Sequence, residues 1–123
     1  MNTRRILVVD DVPAITRVYD LFLTWCGYRI RTVNDSRMAL EAVREFKPNA
    51  VLLDIAMPHL DGYQVAAQIR NEQGLETLPL IAITSFSDDV HLERAKQVGI
   101  HHSFVKPCNL DEVQRLLEEY CKV

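Results

Sequence analysis

A chain of 123 residues, 48% hydrophobic and 25% charged, has the length of one domain and the make-up of a soluble globular protein. Its net charge of −3 argues against a nucleic-acid binder, which carries a basic patch and a high pI. No apolar run reaches the roughly 18 residues needed to span a bilayer, and the apolar stretch that follows Arg4 and Arg5 is too short for a signal peptide. The sequence therefore reads as one cytoplasmic domain, residues 1–123, without membrane insertion.

Five apolar strand-like runs alternate with five amphipathic helix-like runs. "RILVVD" (5–10) is the first strand. A helix follows from Pro13 to about Cys26, with Ile15, Val18, Phe22 and Trp25 stepping by three and four as a buried stripe does. Pro13 suits the first helical turn, where its missing N–H costs nothing, and Gly27 suits the stop. "YRIRTV" (28–33) is the second strand, and a helix from about Ser36 to Phe46 ends before Pro48. "AVLLD" (50–54) is the third strand. The next helix starts near Gly62 or Tyr63 and ends near Gly74. "PLIAITS" (79–85) is the fourth strand, followed by a helix over 88–98 that Gly99 stops. "HHSFVK" (101–106) is the fifth strand. The last helix runs from about Leu110 to Tyr120, with Val113, Leu116, Leu117 and Tyr120 on one stripe.

Strict alternation implies parallel strands joined by right-handed crossovers. Strands 1, 3 and 4 are near-continuous apolar runs, as strands covered on both faces must be. Strand 2 alternates Tyr28 and Ile30 with Arg29 and Arg31, and strand 5 is the most polar. Those two belong at the edges. The expected architecture is a doubly wound α/β fold, a five-stranded parallel sheet in the flavodoxin-like order 2-1-3-4-5.

In such a sheet ligands bind beyond the carboxyl ends of the strands. Asp10-Asp11, Asp54, Thr84-Ser85 and Lys106-Pro107 stand at those ends. Singly, each is an ordinary cap or loop residue. Jointly they are expensive, because two like charges 4 Å apart repel by about 4 kcal/mol at an effective dielectric of 20. One lysine cannot neutralise three acids, whereas a divalent cation can. Mg²⁺ prefers carboxylate, carbonyl and water oxygens, and Asp10, Asp11 and Asp54 offer it a partial, open site. With a metal at hand, a carboxylate can attack phosphorus and become an aspartyl phosphate. Thr84 can hydrogen-bond a phosphoryl oxygen and Lys106 can balance its charge.

"ILVVDD", "LLDIAMPHLDGY", "LIAITS" and "SFVKP" resemble the receiver domain of two-component response regulators, in order and with similar spacing over essentially the whole chain. The resemblance implies that Asp54 accepts phosphate from a histidine kinase or histidine phosphotransfer protein. It implies that Asp10 and Asp11 bind Mg²⁺ with Asp54, helped by the backbone carbonyl of Ala56. Thr84 is then the switch hydroxyl, Lys106 the phosphate-pairing ammonium, and the Lys106–Pro107 bond cis. Such a domain is a signalling module. Its chemistry is limited to taking phosphate from a protein or small donor and losing it again. The family often carries an aromatic switch residue three positions before the lysine; here that position is Ser103, and Phe104 has the opposite strand parity. The wording "GIHHSFVKPCNLDEV" also resembles receivers carried by hybrid sensor kinases more than those of DNA-binding regulators.

Three rival readings differ at identifiable residues. A haloacid-dehalogenase-like phosphatase needs a second acid two residues after its nucleophile, where this chain has Ala56. A flavodoxin-like FMN binder needs a phosphate loop rich in Gly, Ser and Thr, where this chain has "DDVPA". A degenerate receiver, binding partners without phosphorylation, would lack key residues that are all present here. Cys26, Cys108 and Cys121 are odd in number and show no Cys-x-x-Cys spacing, so they read as reduced thiols. His101 and His102, adjacent on a strand, would point to opposite faces rather than clip one metal.

Overall fold

Alternate residues of the central strands enter two separate cores, as strands covered on both faces require. The computed structural model describes residues 3–85 and 89–121. Its strands are β1 (Arg5–Val9), β2 (Arg29–Val33), β3 (Ala50–Asp54), β4 (Leu80–Thr84) and β5 (His102–Val105), all parallel, in the order β2-β1-β3-β4-β5. The helices are α1 (Pro13–Trp25), α2 (Ala39–Phe46), α3 (Gly62–Arg70), α4 (Asp89–Gln97) and α5 (Leu110–Tyr120). Ile6, Val8, Leu52, Ile81 and Ile83 pack with Tyr19 and Leu23 of α1 and with Val113 and Leu117 of α5. Leu7, Val9, Val51, Leu53 and Ala82 pack on the opposite side with Val43 of α2, Val65 and Ile69 of α3, and Ala95 of α4. Among the described residues no helix is long and apolar enough to cross a membrane.

The strand order is the one the polarity of the strands implied, and local chemistry accounts for most boundaries. Pro13 opens α1, and Gly27 follows it at φ 101°, a left-handed backbone that glycine adopts without a Cβ clash. Asp61 and Gln64 form a reciprocal capping box at the start of α3, each bond 2.9 Å long. The Asn109 side chain accepts from Asp111 N–H at 2.8 Å and starts α5.

Three expectations need correction. The inward stripe of α1 is Thr16, Tyr19 and Leu23, with Ile15 and Phe22 at its margin, while Val18 is 50% and Trp25 86% exposed. Helix periodicity finds a stripe but does not say which stripe turns inward. Here two polar residues go in because each has a partner: Thr16 Oγ1 accepts from Asn34 Nδ2 at 3.0 Å, and Tyr19 Oη meets Cys108 Sγ at 3.1 Å. Secondly, α3 stops at Arg70, not near Gly74. Asn71 closes it with a backbone bond to Ala67, and the chain turns through 72–75. Thirdly, the second helical run begins as a 3₁₀ turn, Ser36–Met38, capped by Asp35. The expected first residue of the fourth helix, position 88, lies outside the described residues.

Register brings the strand ends level. Val9 pairs with Leu53, Asp54 with Ile83 and Thr84 with Val105, so the residues that follow stand along one rim of the sheet. Gly62 fixes how close α3 comes to that rim: a Cβ there would lie 2.5 Å from the carbonyl oxygen of Asp54 and 2.7 Å from Ile55 Cα, both backbone atoms. Gly62→Ala should therefore cost about 1–3 kcal/mol, the usual penalty of overpacking, read as a lower urea midpoint with an unchanged denaturant slope.

Candidate phosphoacceptor site

Asp10 directly follows β1, Asp54 closes β3, Thr84 closes β4 and Lys106 directly follows β5. Asp10, Asp11 and Asp54 each present one carboxylate oxygen within 4.8 Å of the others. Lys106 Nζ lies 3.3 Å from Asp54 Oδ1 and 3.5 Å from Asp10 Oδ2. Asp10, Asp54 and Thr84 are buried, Asp11 is half-buried, and Ala56 lies exposed two residues past Asp54. The Lys106–Pro107 bond is cis.

The electrostatics follow from this crowding. Burial raises the pKa of Asp54 and the neighbouring Asp10 raises it further, while Lys106 pulls the other way. Burial disfavours the Lys106 ammonium, but Asp54 and Asp10 together outweigh it, so its pKa is raised. Three oxygen donors of one sign, two of them nearly out of water and matched among the described residues by the Lys106 ammonium, form a donor set that suits a hard divalent cation.

Other residues hold these groups in place, and sequence reading alone did not single them out. Asn34 Nδ2 donates to the Asp10 carbonyl at 2.8 Å as well as to Thr16. Asp10 Oδ1 accepts from Val12 N–H at 3.0 Å, which orients that carboxylate against the start of α1. Ser36 Oγ donates to the Pro58 carbonyl at 2.9 Å and accepts from Leu60 N–H at 3.1 Å, strapping the loop between β3 and α3. The only signal for Asn34 and Ser36 was "NDS", a cluster of turn formers after the second strand. On α4, the Arg94 guanidinium lies 4.4 Å above the Tyr63 ring, and Tyr63 Oη donates to the His91 carbonyl at 3.3 Å. Ser103 is half-buried on β5 opposite Ala82, whereas Phe104 packs into the core on the α1 and α5 side.

The profile of the response regulator receiver domain matches residues 6–118. The chain belongs to that family. This receiver is 34% identical over 93% of its length to a probable transcriptional regulator, ycf27, of Cyanophora paradoxa, and covers 46% of that protein. It thus spans about half the length of the curated regulators it matches. It is 30% identical to an uncharacterised 14.6 kDa protein of Leptolyngbya boryana, over 94% of this chain and 88% of the other. Among solved structures it resembles the receiver domain of the sensor histidine kinase PA1611 of Pseudomonas aeruginosa, at TM-score 0.87 and 30% identity, covering 97% of this chain and 98% of that one. The PA1611 receiver carries a magnesium ion coordinated in its active-site cleft. The chemotaxis protein CheY4 of Vibrio cholerae shares the fold at TM-score 0.92 and 24% identity, over 97% and 99% of the two chains.

The raised pKa of Asp54 has a stability consequence of definite sign. Its charged form is disfavoured in the folded state, so the stabilisation tied to this group is full below the unfolded aspartate pKa, about 3.9, and is lost as pH rises through the higher folded value. Asp54→Asn should therefore be more stable than the parent in metal-free buffer at pH 7. The difference should shrink toward zero as pH falls below about 4, checked by urea denaturation across pH.

Proposed function

We propose that residues 1–123 act as one cytoplasmic receiver unit in a two-component phosphorelay, with Asp54 as the phosphoacceptor. The observation that carries this reading is Lys106 Nζ held 3.3 Å from Asp54 and 3.5 Å from Asp10 inside a cluster of three acids. Asp54 Oδ attacks the phosphorus of a phosphohistidine. The P–N bond breaks, its electron pair returns to the ring nitrogen, and the imidazole leaves as that nitrogen takes a proton. A Mg²⁺ ion held by Asp10, Asp11, Asp54 and the backbone carbonyl of Ala56 would neutralise charge on the phosphoryl oxygens. Lys106 pairs with one phosphoryl oxygen, and the Thr84 hydroxyl donates to another. The magnesium-bearing cleft of the PA1611 receiver supports this assignment of the metal.

The donor is a histidine kinase or histidine phosphotransfer protein. An apolar groove of about 650 Å³, lined by Ala14, Ile15, Val18, Pro107 and Leu110, opens beside Lys106. Val18, Leu21 and Trp25 continue it along the outward face of α1. Apolar area that starts at the ammonium beside Asp54 is where a protein donor gains contact. The aromatic that often relays the signal in this family is replaced by Ser103, which has no ring to move. Output is therefore assigned to Thr84 and the displacement of α4, or the module relays phosphate onward. Residues 86–88, which lie between them in the sequence, are outside the described residues.

Incubation with acetyl phosphate and Mg²⁺, followed by intact mass measurement, should add one phosphoryl group to the wild type and none to Asp54→Asn. Leu21→Ser combined with Trp25→Ala should leave that reaction intact while slowing transfer from a protein donor tenfold or more, the cost of losing an aromatic anchor. A wild type that gains no mass would identify the chain as a receiver that works without phosphorylation.

A further inference from the structure

A lysine can serve a reacting group only as well as its backbone is fixed, since its four-carbon stem is flexible. The segment that carries Lys106 is fixed at three points. Lys106 N–H donates to the Thr84 carbonyl at 2.7 Å, which ties the segment to the end of β4. Asn109 caps α5 at the other end. Between them Pro107 has no N–H to give, and Cys108 reaches across to α1, its Sγ 3.1 Å from Tyr19 Oη.

Tyr19 is 7% exposed and belongs to the core between the sheet and α1 and α5, into which Cys108 also packs. A hydroxyl in that place is costly unless it is paired, and phenylalanine would fill the same volume without it. Burial, and then the contact with Cys108, raise the pKa of the phenol, with smaller contributions from the nearby Asp10 and Asp54. The group therefore stays a neutral hydroxyl throughout the working pH range and the contact does not switch. Tyr19 and Cys108 also line the apolar groove that opens beside Lys106.

We infer that Tyr19 is a positioning residue for Lys106. It acts through its hydrogen bond to Cys108, which pins the segment after β5 against α1 and keeps the ammonium aimed at Asp54. The inference rests on the phosphoacceptor reading. It adds Tyr19 and Cys108 to the working parts although neither touches the phosphoryl group.

The test is the rate of phosphorylation by acetyl phosphate in the wild type, Tyr19→Phe, Cys108→Ala, Cys108→Ser and the double variant Tyr19→Phe/Cys108→Ala. The affinity for Mg²⁺ alone is measured on each. Tyr19→Phe and Cys108→Ala should each slow the reaction about fivefold, the worth of one intramolecular hydrogen bond, with Mg²⁺ affinity unchanged. The double variant should be no slower than either single one, because both remove the same contact. Cys108→Ser, whose hydroxyl can still meet the phenol, should recover most of the rate. Single variants within twofold of wild type, effects that multiply in the double variant, or a Cys108→Ser as slow as Cys108→Ala would overturn the positioning role while leaving Asp54 as phosphoacceptor. A wild type that takes up no phosphoryl group would overturn the phosphoacceptor reading and this inference with it.

Discussion

Repulsion among three carboxylates, held at the rim of a parallel sheet and answered by one ammonium, is the constraint on which the rest of the structure turns. With carboxylate oxygens within 4.8 Å of one another, each like-charged pair costs about 3 kcal/mol at an effective dielectric of 20, and Lys106 can offset only part of the total. Two of the acids are also nearly out of water, which adds a desolvation cost to the repulsion. Domains of this size are stable by only about 5–15 kcal/mol. A cluster of that cost persists because the framework holds it, and it is relieved when cationic charge arrives.

The framework that bears this cost is built largely from backbone. Parallel pairing in register sets Asp10 and Asp54 side by side without help from their own side chains. Both central strands are sealed by apolar residues on their two faces, so the strand ends have little room to drift apart. Gly62 lets α3 come within reach of the Asp54 carbonyl, and Asn34 holds the Asp10 carbonyl from the next strand. The clustered acids and Lys106 thus stand at the ends of rigid strands, while the loops around them supply polar ties. The clasp of Tyr63 with His91 and Arg94 extends the same logic to α4, coupling the helix next to Asp54 to the helix that follows Thr84.

Much of this was legible in the sequence because it depends on one-dimensional signals. Runs such as "ILVV" and "AVLL", short and partly β-branched between turn formers, fit strands covered on both faces, and the more polar runs fit edges. Once the strand order is known, Asp10, Asp11, Asp54, Thr84 and Lys106 fall on one rim by topology. What was not legible depends on choices between nearly equal alternatives in three dimensions. Val18 and Trp25 share a helical stripe with Ile15 and Phe22, yet α1 turns Thr16 and Tyr19 inward because Asn34 and Cys108 satisfy them. No spacing rule connects Tyr19 with Cys108, 89 residues later, or Ser36 with Pro58 and Leu60. Those contacts exist only after the sheet has closed.

A carboxylate cluster that takes a divalent cation, with Asp54 as a member, must make the folded state respond to that cation. Thermal unfolding at pH 7 against Mg²⁺ concentration tests it most directly, since an ion that binds only the folded state stabilises it by RT ln(1 + [L]/Kd). The melting temperature should climb with Mg²⁺ in the wild type, and much less steeply in Asp54→Asn, whose amide has lost the charge. A wild-type melting temperature that ignores Mg²⁺, or a rise of equal size in Asp54→Asn, would contradict it.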